Sequence, residues 1–107
     1  MTDLFQYNRR QTTEVNVGSI RMGSNNPIRI QSMATTNTND TEASVQQAIR
    51  IIQAGGELVR FTTQGTREAE NMRNINAGIR ERGFLTPIVA DVHFNANVAD
   101  VAARYAE

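Results

Sequence analysis

Three short polar sets interrupt otherwise apolar runs, and each holds residue types that bind or move charge: Gln31-Ser32, Arg60 with Thr62 and Thr63, and Asp91 with His93. An arginine inside an apolar run has to be paired or ligand-bound, because a lone charge taken out of water is costly. Its planar fork of donors suits a phosphate. His93 is the only histidine in the sequence, and an imidazole can donate to a phosphate or serve as an acid–base group. Asp91 can orient His93, bind a hydroxyl or hydrogen-bond a loop. Plain structural readings stand beside these. Arg60 and Asp91 can form an internal ion pair, His93 can be a satisfied residue closing a strand, and Gln31 and Ser32 can make interior hydrogen bonds.

These residues need elements to bring them together. Val15 and Val17 alternate with polar residues, as do Ile20 and Met22, and Gly18-Ser19 between them predicts a type II′ hairpin turn. Gly23-Ser24-Asn25-Asn26-Pro27 closes that unit. A short strand is predicted over residues 28–33, with Ile28 and Ile30 on one face and Arg29 and Gln31 on the other. A polar loop then leads into a helix with capping-box spacing between Asn39 and Glu42. Its buried stripe is Val45, Ala48, Ile49 and Ile52, and Gly55-Gly56 ends it.

The next unit has a strand over residues 58–63, a Gln64-Gly65 turn, and a helix capped by Thr66 with Ala69, Met72, Ile75 and Ile79 as its stripe. The last opens after Pro87 with Ile88-Val89-Ala90-Asp91-Val92, and Asn95 caps a helix carrying Val98, Val101, Ala102 and Tyr105. Arg50, Arg67, Arg73 and Arg80 are expected on solvated faces, and Met33 in packing. Thr35-Thr36-Asn37-Thr38-Asn39 and Thr62-Thr63-Gln64-Gly65 are either ligand loops or ordinary connections. Residues 1–10 show no pattern and are expected to be a flexible arm, with one barrel segment over 11–107.

The strand centres near Ile30, Val59 and Val89 lie about 30 residues apart, the size of a βαβ unit. Such crossovers are right-handed and build a parallel sheet. An open doubly wound sheet and part of an eight-stranded barrel both satisfy this. The first βα loop has no glycine, so the dinucleotide fingerprint is missing, and a hairpin placed to plug the bottom of a barrel favours the second. Strand–helix units this few cannot close a barrel and leave two sheet edges unpaired. The expected fold is therefore α/β: an N-terminal β-hairpin followed by three β/α units of an incomplete TIM (β/α)8 barrel. Working residues of such folds sit at the carboxyl ends of the strands, where all three polar sets fall. Alternation puts Arg60 with Thr62, and Asp91 with His93, on one side of their strands.

Composition narrows the rest. The 107 residues hold eleven basic and eleven acidic side chains, every basic one an arginine. A balanced charge without like-charge runs argues against nucleic acid as a partner. No cysteine is present, which excludes from this sequence a disulfide, a thiolate metal site and a cysteine nucleophile; a reducing, cytoplasmic location fits. No window resembles a signal peptide or a membrane span.

Pro27-Ile28-Arg29-Ile30-Gln31-Ser32-Met33 with the Thr/Asn-rich loop and Asp40, then Leu58-Val59-Arg60, then Ile88-Val89-Ala90-Asp91-Val92-His93-Phe94, resemble in order and spacing the first strands of hydroxymethylbutenyl diphosphate synthases. The hairpin fits the family's start, and the resemblance covers residues 11–107. It implies a barrel that binds methylerythritol cyclodiphosphate in the methylerythritol phosphate pathway. It also implies a 4Fe-4S cluster on a separate domain outside this chain, and ferredoxin or flavodoxin as electron donor. Arg60 and His93 would contact the diphosphate, and Asp91, Gln31 and Ser32 would shape the pocket. Phe61-Thr62-Thr63 departs from the small apolar run of the family and is read as a mark of the branch with an inserted middle domain. The segment alone is expected to be inactive. Two alternatives are carried: a pteroate-synthase-like barrel without redox chemistry, and a non-catalytic half-barrel that self-associates through its open edges.

Overall fold

The computed structural model describes residues 8–107; most of the expected arm lies outside them. Among its remaining residues, Arg9 donates to the Asn26 carbonyl at 2.9 Å. A hairpin of β1 (Val15–Val17) and β2 (Ile20–Met22) comes first. Gly18 alone of the turn pair has positive φ, at +57°, as a type II′ turn requires. Its tip lies against Pro87, at the amino end of the later strand Ile88–Val92 and away from the polar sets.

Three strand–helix units follow: β3 (Gln31–Met33) with α1 (Thr41–Gln53), β4 (Leu58–Thr63) with α2 (Thr66–Glu81), and β5 (Ile88–Val92) with α3 (Ala96–Ala102). The sheet is parallel in the order β3-β4-β5. Right-handed crossovers between strands in consecutive order stack every helix on one face. No order reversal occurs, so this is a barrel arc and not a doubly wound sheet. The helix side of β4 carries Val59, Phe61 and Thr63, each fully buried. The other side carries Arg60 and Thr62, both half-buried.

The core forms where the predicted stripes meet. The buried residues of α2 are Ala69, Met72, Ile75 and Ile79, which pack with Val45, Ala48, Phe61 and Ile88, apart from Ala69, which joins Val98 and Ala102 under α3. Gly78 lies in the last turn of α2, and inside a helix glycine costs about 1 kcal/mol relative to alanine. A Cβ there would stand 2.8 Å from Val45 Cγ2, so the close approach of α1 and α2 explains the residue.

Several local expectations shift. β3 begins at Gln31, and Ile28 and Ile30 are exposed. Glu57 takes the donor side of this stretch: its carboxylate accepts from the Ile30 N–H at 3.3 Å and pairs with Arg29 at 2.9 Å, while the Ile30 carbonyl still accepts from the Glu57 and Leu58 N–H groups at 2.7 and 3.2 Å. Met33 is also exposed. Asp40, not Asn39, caps α1 and accepts from Ala43 N at 3.1 Å, while Asn39 donates to Glu68 at 3.1 Å. Gly65 holds the N-cap position of α2 with no side-chain bond, and Thr66 is the first helical residue. Asn95 caps α3 as expected, but α3 ends at Ala102, so Tyr105 packs on the core from beyond it. Arg80 is no solvated arginine. It pairs with Glu107 at 2.6 Å and donates to the Phe84 and Thr86 carbonyls at 3.2 and 2.9 Å.

Candidate functional site

Parallel pairing with β4 residue Thr62 opposite Asp91 turns both toward the face that carries Arg60. The three charged or titratable groups meet there. Arg60 Nη2 lies 2.8 Å from Asp91 Oδ2, and His93 Nε2 lies 3.3 Å from the same oxygen. The Arg60 side chain is 40% exposed and that of His93 37%, against 19% for Asp91. One carboxylate therefore gathers two donors at the carboxyl ends of two neighbouring strands. The ion pair weighed as a structural reading exists, and its one contact at Nη2 uses part of a guanidinium that carries five N–H donors on a side chain 40% exposed.

The Arg60 contact first, then that of His93, holds the Asp91 carboxyl below its ordinary value of 3.8, and partial desolvation opposes them. A carboxyl whose pKa is lower folded than unfolded contributes stability that is present above the unfolded value and lost as the pH falls through the folded one. The thermal midpoints of wild type and Asp91→Asn are thus expected to differ by a steady margin at mildly acid and neutral pH, and to converge only in acid below 3.8. A margin that persists in strong acid would mean that the asparagine acts through packing and not through charge.

The remaining predicted residues divide. Gln31 is opposite Leu58 and shares the Arg60 face, whereas Ser32 is opposite Val59 and points to the helix side. Met33, opposite Arg60, joins the site face instead. Phe94 was legible only as part of a motif. It is fully exposed, has φ of +59°, and sets its ring edge-on to His93 with centroids 6.2 Å apart. A left-handed backbone at a side chain other than glycine costs about 1–2 kcal/mol, and here it turns the chain from β5 into α3. Gln47 was missed altogether: its amide oxygen accepts from Thr35 N and Thr36 N at 2.8 and 3.1 Å. Nothing in helical periodicity distinguishes it from any other polar face residue.

Residues 12–107 match the GcpE TIM-barrel domain. The chain belongs to the GcpE family. Among its curated relatives, a 4-hydroxy-3-methylbut-2-en-1-yl diphosphate synthase (flavodoxin) of Phocaeicola vulgatus is 68% identical over 105 residues, covering 98% of this chain. The proteins of the same name in Bacteroides thetaiotaomicron and Porphyromonas gingivalis are 65% and 50% identical, over 98% and 100% of the chain. The chain spans only 17–18% of the length of these relatives. As a GcpE barrel segment, its uncovered polar face corresponds to a barrel interior and its open strand ends to the mouth.

The GcpE resemblance brings an iron–sulfur cluster into consideration, and the residues present do not fit one. The sequence has no cysteine, and among the described residues no three His, Asp or Glu groups converge as a metal site. No step through a cluster is assigned to these residues. Among the described residues, no helix is long and apolar enough to cross a membrane.

Proposed function

We propose that this segment forms the opening strands of the substrate-binding barrel in a longer reductive diphosphate synthase. The whole protein would take methylerythritol cyclodiphosphate, open its ring with two electrons, expel a hydroxyl as water and release hydroxymethylbutenyl diphosphate. Flavodoxin is the favoured donor, since the relatives carry it in their names; ferredoxin is the other candidate. The 4Fe-4S cluster and its ligands would belong to other parts of that protein, and the segment by itself would be inactive.

The observation that carries this reading is the convergence of Arg60 and His93 on Asp91 at the mouth of a parallel sheet. A diphosphate placed there accepts from the free edge of the Arg60 fork and from His93, while Asp91 keeps both donors oriented. Gln31 shapes the same face, and Ser32 supports it from the far side of the strand. Charge-assisted bonds of this kind bind and orient the anion without taking part in electron transfer. The test is anaerobic incubation of the full-length protein with the cyclodiphosphate and reduced flavodoxin, followed by phosphorus NMR. The expected result is loss of the cyclic diphosphate signal and growth of a linear one. A loaded, reducible protein that leaves the ring intact would refute the proposal.

A further inference from the structure

Neither burial nor backbone preference explains Phe94. Its ring is fully exposed and joins neither buried cluster of the described residues. Its φ of +59° lies in the left-handed region, which glycine and asparagine enter readily and a bulky side chain does not. The turn from β5 into α3 accounts for that φ but not for the ring, since glycine would make the same turn without steric cost. The helix cap does not call for a phenyl group either, because Asn95 caps α3 by accepting from Asn97 N at 2.9 Å. Residues held in such sparsely populated conformations gather at functional sites, where other contacts offset the strain.

One such contact is present. The Phe94 ring stands at 79° to the His93 imidazole with centroids 6.2 Å apart, the perpendicular arrangement that aromatic pairs favour at about 4.5–7 Å. The left-handed backbone makes this possible. Consecutive side chains of an extended strand point to opposite faces, and only a break in that alternation brings residue 94 back against residue 93. His93 has use for the contact. Its Nε2 lies 3.3 Å from Asp91 Oδ2, and its side chain is 37% exposed. That one bond fixes the place of a single ring atom, while the last torsion of a histidine has broad minima and leaves the ring plane free to turn. A second ring packed across it at right angles removes the freedom. Arg60 fixes Asp91 in turn, at 2.8 Å, so guanidinium, carboxylate, imidazole and phenyl each limit the next.

We propose that Phe94 is the positioning residue of His93: its perpendicular ring holds the imidazole with Nε2 on Asp91 and Nδ1 turned to an anion at the strand ends. The proposal rests on the diphosphate reading above and adds to that site a residue outside its charged set.

The test is a double-mutant cycle on the full-length protein, read as affinity for inorganic diphosphate by calorimetric titration. Phe94→Gly keeps the turn and removes the ring. It is expected to weaken diphosphate about two- to tenfold, the worth of an aromatic pair, with the thermal midpoint little changed. Phe94→Asn, also at ease in the left-handed region, should repeat the loss, and Phe94→Tyr, which keeps the ring, should bind as wild type does. His93→Gln should lose more than Phe94→Gly, and combining the two should weaken binding no further. Losses that multiply in the double variant would overturn the proposal, because Phe94 would then act without His93. Wild-type affinity in Phe94→Gly, or equal weakening in Phe94→Tyr, would overturn it as well. Two failures remain distinct. Weak binding by His93→Gln beside normal binding by Phe94→Gly rejects the role of Phe94 alone, whereas normal binding by His93→Gln rejects the anion site as read above and the role of Phe94 with it.

Discussion

On the function proposed above, Arg60→Ala in the full-length protein is expected to lower kcat/KM for the cyclodiphosphate by about a hundredfold or more. The figure follows from losing one charge-assisted, two-pronged contact, worth about 1.5–3 kcal/mol in protein interiors, and from misplacing a ligand that must be held at the strand ends. A second cost adds to it. Asp91 now spans Arg60 and His93 at 2.8 and 3.3 Å, so without the guanidinium it keeps only the imidazole and turns an extra negative charge toward an anionic ligand. Arg60→Lys should fall between the two, because an ammonium keeps the charge but not the fork. Steady-state kinetics with the iron content and thermal midpoint checked in parallel decide the matter. A full rate per folded molecule in Arg60→Ala would show that the pair with Asp91 is its whole role.

Phe61→Ala is expected to cost about 3–5 kcal/mol of stability. Phe61 lies in β4, the central strand, on the face opposite Arg60, and is fully buried with Met72, Ile75, Ile79 and Ile88 in the same cluster. Its ring fills the space between the sheet and the helices, and neighbours held by their own strands and helices cannot collapse into the gap. Whole domains are stable by about 5–15 kcal/mol, so a large fraction of molecules would unfold well below the wild-type midpoint. Urea unfolding should show a lower midpoint with an unchanged slope. A shift under about 1 kcal/mol would mean that the core around Phe61 relaxes far more freely than close packing allows.

The contrast between these two neighbours in sequence shows what was legible beforehand. Alternation alone puts Phe61 and Arg60 on opposite sides of their strand, and the roughly 30-residue spacing of the strands lets Asp91 converge with Arg60. The stripe of α2 was likewise readable, since Ala69, Met72, Ile75 and Ile79 repeat at helical spacing. What local pattern misses are bonds between residues far apart in sequence. Glu57 takes Ile30 N just ahead of β3, Glu68 draws Asn39 from the cap that Asp40 then fills, and Glu107 converts Arg80 from a surface charge to a tether. Ser32 shows the limit of register. A strand predicted from residue 28 fixes alternation, but which face meets the barrel interior is settled only when Gln31 is seen opposite Leu58. Gln47, which fixes the β3–α1 loop from the second turn of α1, had no sequence signal.

Equilibrium binding of methylerythritol cyclodiphosphate to the full-length protein, wild type beside Arg60→Ala and His93→Ala, tests the central claim most directly. If the Arg60–Asp91–His93 cluster is the anion site, both variants bind the cyclodiphosphate at least tenfold more weakly than wild type, with thermal midpoints close to wild type. Wild-type affinity in both folded variants would contradict the account and place the diphosphate elsewhere in the barrel.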